Sequence, residues 1–224
     1  MPAPIKPRIS HTLGSVARVA VLGIALLVPG SPGAAQEPVP ADWLLSGEDA
    51  DKYRMRIDSE VPRSGATCMR IVARGNRRDS EWAVAVQIID ASPYRGRRVR
   101  LSGYLRTDRV GSVGLWMRID GIIGGEAAQI AVDNAEDRRL EGTHEWTRQE
   151  IVLDVTAESV TILFGAMISG DGAVWLDDLA VEEVGMDVAV TEPTGNRILG
   201  GAYLRPPGML AAPANLGFED GEGP

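Results

Sequence analysis

The stretch Leu115-Trp116-Met117-Arg118-Ile119-Asp120 sets the reading of the whole chain. Apolar and polar side chains alternate along it, and a period of two belongs to a half-buried β-strand. Leu115, Met117 and Ile119 face a core, so Trp116, Arg118 and Asp120 share the opposite face. Toward the N-terminus, Val99, Leu101, Gly103 and Leu105 alternate in the same way with Arg98, Arg100, Ser102, Tyr104 and Arg106. Met69, Ile71 and Ala73 alternate with Arg70 and Arg74, and Val84, Val86 and Ile88 with Ala85 and Gln87. Residues 129–134, 150–155, 161–168 and 173–184 supply four further strands. Asp-Gly, Arg-Gly, Ser-Gly and Gly-Asp-Gly clusters separate them, and no long helical period intervenes between Trp43 and Val184.

About eight short strands at this spacing predict an all-β fold, a two-sheet antiparallel β-sandwich of jelly-roll type. A closed barrel is the alternative, since the period alone does not distinguish the two. After Val184 the alternation stops. Residues 187–214, rich in Pro, Gly and Ala, are expected to be a linker with one short strand near 198–204. The organisation is therefore a leader over 1–35, a sandwich over 40–186, the linker, and a final segment over 215–224.

The leader is read from Lys6, Arg8 and Arg18, which precede the apolar run Val19 to Val28. Pro29 and Gly30 break the run, and Gly33-Ala34-Ala35 offers small residues for a signal peptidase. Ten apolar residues make a helix of about 15 Å, short of the ~30 Å core of a bilayer. A signal helix is expected here, with cleavage near Ala35 and a periplasmic or extracellular destination. No later segment has the length to span a membrane as an apolar helix.

Charge narrows the function. Lys+Arg 23 against Asp+Glu 31 gives a formal charge of −8, and loss of the leader's three basic residues deepens it to −11. Such a balance argues against a nucleic-acid partner held through its phosphates. One cysteine permits no internal disulfide and no Cys-built metal site. Cys68 reads as a small buried strand residue. No phosphate-binding loop, dinucleotide fingerprint, nucleophile elbow or H-E-x-x-H zinc motif occurs, and His144 sits in a turn-like stretch. Two facing carboxylates would suffice for a glycosidase, so a small secreted hydrolase stays open as a minority reading.

Five of the eleven aromatic residues are Trp, and these are followed for function. A sugar ring offers a flat C–H face and a rim of hydroxyls, which an aromatic platform and paired hydrogen-bonding groups can hold. Trp116, Arg118 and Asp120 supply such a set, with Tyr104 and Arg106 on a neighbouring strand and Asn134 nearby. The same pattern is met by a Trp116 packed under a loop beside an ordinary Arg118–Asp120 ion pair. Trp146 and Trp175 are expected in packing roles, while Trp43 and Trp82 near loop ends suit either role.

A resemblance adds to this. The stretches 94–107 and 114–121 carry it first, with Asp133-Asn134, Asp137-Arg138, Gly142-Thr143 and Trp146. It continues through 152–155, Phe164-Gly165 and Ser169-Gly170 to the closing Gly172-Ala173-Val174-Trp175-Leu176-Asp177-Asp178-Leu179. Together they resemble bacterial jelly-roll domains of the galactose-binding-like fold, which are similar to the cellulose- and xylan-binding modules of secreted glycosidases. The resemblance covers about 43–184. It implies a non-catalytic module that binds a glycan or cell-surface polymer. A structural or protein-interaction module with a protein partner is the alternative, and the N-terminal part of a longer enzyme a further one. Some relatives carry transcription-regulator labels or adjoin serine-peptidase domains, yet no helix-turn-helix or catalytic-serine motif stands in this sequence.

The resemblance also implies a structural Ca²⁺ site. Asp177 and Asp178 match its last-strand pair, and Glu219 belongs to an Asn-x-x-Phe-Glu piece at Asn215-Leu216-Gly217-Phe218-Glu219. In the family that piece lies at the N-terminus. Here residues 215–224 either open an incomplete second module or fold back as a closing strand.

Overall fold

The computed structural model of the chain describes residues 39–191, 198–199, 202–221 and 223. The expected leader over 1–35, with its signal helix, falls outside the described residues. Ten strands follow in chain order: β1 Leu44–Ser46, β2 Tyr53–Asp58, β3 Cys68–Ala73, β4 Trp82–Asp90 and β5 Arg97–Ile123. The rest are β6 Glu126–Asp133, β7 Leu140–Val155, β8 Ser159–Ser169, β9 Ala173–Val184 and β10 Ile198–Leu199. All the strand pairs are antiparallel.

The strands expected around 99–105 and 115–120 turn out to be one. β5 is 27 residues long and serves both sheets. Its first half lies between β7 and β9, in a sheet ordered β2–β3–β9–β5–β7. Its second half lies between β8 and β6, in a sheet ordered β1–β4–β8–β5–β6–β10. Between Leu105 and Val113 the pairing with β7 slips three times, and Arg109 takes a left-handed φ of 48°. Such irregularities bend a strand sharply enough to leave one sheet and enter the other without a turn. The sandwich is thus joined through one strand.

Alternation places the core between the sheets. Met69, Ile71, Leu101, Leu105, Val174 and Leu176 point inward from the first sheet, and Leu115, Met117, Ile119, Ile162, Phe164 and Ile168 from the second; all are fully buried. Gly165 lets β4 and β8 approach closely, because a Cβ there would collide with the Ala85 carbonyl oxygen.

The C-terminal part corrects the expectation of a linker. Residues 202–214 lie against the second sheet instead of running free: Leu210 N donates to Ile88 O and Asp90 N to Leu210 O, both at 2.8 Å. Residues 215–219 form turns that close the end of the sandwich. Phe218 is fully buried, its ring 5.4 Å from Trp43, which also meets Phe164 edge-on at 5.9 Å. The indole N–H of Trp43 donates to Asn215 O at 3.3 Å. Burying one such phenyl ring contributes about 1.5–3 kcal/mol, enough to hold a tail that composition alone marks as loose.

Candidate functional site

Trp116, Arg118 and Asp120 do share one face of β5, on the outside of the second sheet. The neighbours there are apolar. Val84, Val86, Ile88 and Leu163 join Trp116 in a second hydrophobic cluster, packed on by Tyr203 and Met209 from the C-terminal segment. Trp116 is only 2% exposed. Arg118 Nε donates to Asp120 Oδ1 at 2.7 Å with both side chains buried, and Tyr203 N donates to Asp120 Oδ2 at 2.8 Å. The Arg118 guanidinium lies 5.2 Å from the Tyr203 ring centroid. Burial is the main influence on the Asp120 carboxyl and raises its pKa against the opposing pull of Arg118. The expected platform is therefore corrected: this face is closed by the chain's own C-terminal segment.

The outer face of the first sheet is different. Arg56 on β2 pairs with Arg70 on β3, Arg70 with Trp175 on β9, and Trp175 with Arg106 on β5. These four side chains form one cross-strand row. Trp175, expected to be a packing residue, is partly exposed. The Arg70 and Arg106 guanidiniums lie over its ring, at 4.8 and 5.7 Å from the centroid. Its indole N–H donates to Asp58 Oδ2 at 3.2 Å, which fixes the ring's orientation. Beside the ring lies a half-open depression of about 270 Å³, lined by Arg106, Thr107, Asp108, Thr143, Glu145 and Trp175.

Of the expected ligand residues, then, Arg106 borders this depression, and Tyr104 stands one pleat away opposite Asp177. The Tyr104 ring is covered by the Arg63 guanidinium, 3.4 Å from its centroid. Asn134 follows β6 in a turn, its carbonyl accepting from Arg139 Nε at 3.2 Å. Arg56, Arg70, Asp58 and the role of Trp175 were missed. The alternation Tyr53-Arg54-Met55-Arg56-Ile57-Asp58 marks β2 as plainly as any strand read, but its register against β3 and β9 depends on pairings distant in sequence.

The carboxylates expected to hold calcium serve another purpose. Asp177 is fully buried, and its Oδ2 accepts from the backbone N–H groups of Arg63 at 2.8 Å and Ser64 at 3.1 Å. Its Oδ1 accepts from Asp178 N at 2.8 Å. Burial, more than any other influence, raises the Asp177 pKa. Asp178 pairs with Arg63 and accepts from Ser64 Oγ at 2.6 Å. Glu219 Oε1 accepts from Ala66 N at 2.9 Å and Thr67 N at 3.2 Å, approaching over Gly65, whose φ of 61° and missing side chain leave it room. These acids hold the 63–67 loop through its own N–H donors. Among the described residues no three His, Cys, Asp or Glu side chains are gathered as a metal site.

Cys68 is buried, with Sγ 3.5 Å from Asp58 O, and burial pushes its thiol up to about 12. The His144 ring Nε2 contacts Glu141 O at 2.8 Å on an exposed stretch of β7. Among the described residues neither is set beside a partner that would make a nucleophile.

No family model matches the chain. A relative from Bacillus subtilis (strain 168), named as the uncharacterized HTH-type transcriptional regulator YbfP, is 34% identical over 180 residues, 80% of this chain and 56% of the relative. The chain thus spans little more than half of that protein's length. The described residues contain no α-helix, so a helix-turn-helix has no counterpart among them. Among solved structures, the CBM22-1 xylan-binding domain of Paenibacillus barcinonensis Xyn10C is similar at 14% identity and a TM-score of 0.45, over 66% of this chain and 90% of the domain. The carbohydrate-binding module TmCBM61, solved with β-1,4-galactotriose, is similar at 14% identity and a TM-score of 0.43, over 66% and 92%.

Proposed function

We propose that this chain is a non-catalytic glycan-binding module whose ligand lies on the outer face of the first sheet, with Trp175 as the platform. The observation that carries this reading is the partly exposed Trp175 ring, fixed by Asp58 and flanked by Arg70 and Arg106 beside an open depression. An indole face stacks on the C–H face of a sugar, and guanidinium N–H groups reach its oxygens.

Affinity electrophoresis of the folded chain in soluble polysaccharides tests the reading. Trp175→Ala is expected to lose roughly five- to tenfold in affinity, the worth of about 1 kcal/mol of stacking. A folded wild-type chain that no polysaccharide retards would reject it.

The proposal includes export, supported by Lys6, Arg8 and Arg18 ahead of the apolar run that ends at Val28. N-terminal sequencing of the expressed protein is expected to begin near Gln36, in an extracytoplasmic fraction. Recovery from the cytoplasm with Met1 or Pro2 in place would reject export.

A further inference from the structure

The row that holds Trp175 carries more positive charge than its own structure uses. Arg56, Arg70 and Arg106 bring three guanidiniums, while among the described residues the carboxylates that touch them belong to Asp58 and Glu145 alone. Asp58 stands 3.7 Å from Arg56 Nη2 and 3.7 Å from Arg70 Nη1, well beyond the ~2.7–2.9 Å of a charge-assisted hydrogen bond. Its oxygens are engaged elsewhere: Oδ2 accepts from Trp175 Nε1 at 3.2 Å, and Oδ1 accepts from Glu60 N at 2.9 Å. Arg56 Nε and Arg70 Nε are buried atoms with no hydrogen-bond partner among the described residues. Among the described residues the one carboxylate that reaches Arg106 is that of Glu145, at 3.4 Å, and it is 84% exposed.

An arginine fork is a planar array of donors that matches a carboxylate with two parallel hydrogen bonds. Strands about 4.8 Å apart set Arg70 and Arg106 on either side of Trp175, roughly 10 Å from strand to strand. A sugar ring resting on Trp175 would therefore have a guanidinium on each flank. The side chains of Arg56, Arg70 and Arg106 remain 35%, 23% and 28% exposed, so these forks reach solvent. The chain as a whole carries a formal charge of −8 and repels polyanions, so attraction for one has to come from a local feature of this kind.

We propose that the glycan is an acidic one, a polymer of uronic acid residues, whose carboxylates pair with Arg70 and Arg106 while a ring stacks on Trp175. This deepens the glycan-binding reading and rests on it. Neutral polysaccharides are then weak ligands, because they stack without supplying the anion that these arginines match.

The test compares polygalacturonate with its methyl ester, which keeps the backbone and masks the charge, and with neutral galactan and xylan. Calorimetry or affinity electrophoresis uses the whole folded chain. Polygalacturonate is expected to bind at least tenfold more tightly than its ester, with a preference that shrinks as salt rises. Arg70→Gln and Arg106→Gln, checked for an unchanged melting temperature, are each expected to reduce that preference while leaving residual binding to the ester. Trp175→Ala is expected to weaken both ligands together. Equal binding of acid and ester, or binding of neutral polymers alone, overturns the acidic-glycan proposal and leaves the glycan reading standing. Retention of none of the four overturns both.

Discussion

Each sheet of this sandwich turns a tryptophan outward in the company of arginine and aspartate, and the two have opposite fates. Trp116 sits with Arg118 and Asp120 along one strand and is 2% exposed, sealed by Tyr203 and Met209. Trp175 sits with Arg56, Arg70 and Arg106 across four strands and is partly exposed. Each tryptophan has one charged neighbour two residues on along its own strand, Arg118 and Asp177, so these do not decide. Neighbouring strands do. Val84, Val86, Ile88 and Leu163 make the first surroundings an apolar patch that water disfavours, and the chain supplies a cover. Arginines make the second a face that water tolerates, with their aliphatic stems laid along the sheet and their heads outward.

The largest expected difference between the faces is in stability. Trp116→Ala removes a buried ring from a packed cluster and is expected to lower unfolding free energy by about 3–5 kcal/mol. Trp175→Ala forfeits one hydrogen bond and two cation–π contacts, an expected loss of roughly 1–2 kcal/mol. Urea denaturation of the two variants measures both. Comparable losses would break the distinction between a structural and an available tryptophan.

The ion pairs separate the faces next. Asp120→Ala would take a carboxylate from beside the buried Arg118 guanidinium, at an expected cost of about 3 kcal/mol. Replacing both members, Arg118→Met with Asp120→Leu, is expected to recover most of that, since apolar residues suit the covered patch. On the open face Glu145→Ala is expected to stay within about 0.5 kcal/mol of wild type, its partner Arg106 being solvated. Large losses at Glu145 would mean that the open face is also a packing surface.

These contrasts explain what the sequence disclosed. The all-β sandwich was legible because the period of two along β3, β4, β5, β8 and β9 states which residues face inward, and that information is local. The continuity of β5 was not, because a bend built from register slips near Arg109 carries no Pro-Gly or Asn-Gly signal. Trp116, Arg118 and Asp120 were correctly placed on one face, but the cover lay some 80 residues downstream, beyond a Pro- and Gly-rich stretch that composition reads as loose. The Trp175 row was illegible for the same reason: it exists only through three non-local pairings. Arg106 is legible as a candidate and Arg56 and Arg70 are not, since their place beside Trp175 rests on the β2–β3 and β3–β9 pairings.

Cys68 probes the far end of the open face. It stands opposite Asp58 in the β2–β3 register, one pleat from Arg70, yet is fully buried with its thiol pushed up to about 12 by desolvation. At neutral pH the native chain is expected to react with iodoacetamide only when it unfolds, because the thiolate is the nucleophile and burial suppresses it. Labelling in native buffer as fast as in urea would show that the open face extends past Asp58. Protection would confine it to the Trp175 and Arg106 end.

The smallest expected effect is on acid stability, and its sign divides the charged groups by what surrounds them. Glu81 is lowered from the usual 4.5 to about 2, first by the hydrogen bond from Lys52 Nζ at 2.8 Å and then by that from Arg78 N at 2.9 Å. A depressed folded pKa means that the unfolded chain takes up the proton first. The stabilisation is therefore present above the unfolded value near 4.5 and is lost as pH falls toward about 2. Asp120 and Asp177, raised chiefly by burial, act in the opposite sense: the folded chain takes up the proton first, so their ionisation weighs against folding, and that burden is relieved as pH falls through their folded pKa. Glu81→Gln is thus expected to lower the melting temperature at neutral pH and to flatten its decline between pH 4.5 and 2. Asp120→Asn has no comparable stabilisation to lose over that interval and is expected to leave the slope at least as steep. Identical slopes for wild type and Glu81→Gln would assign the acid sensitivity to other groups.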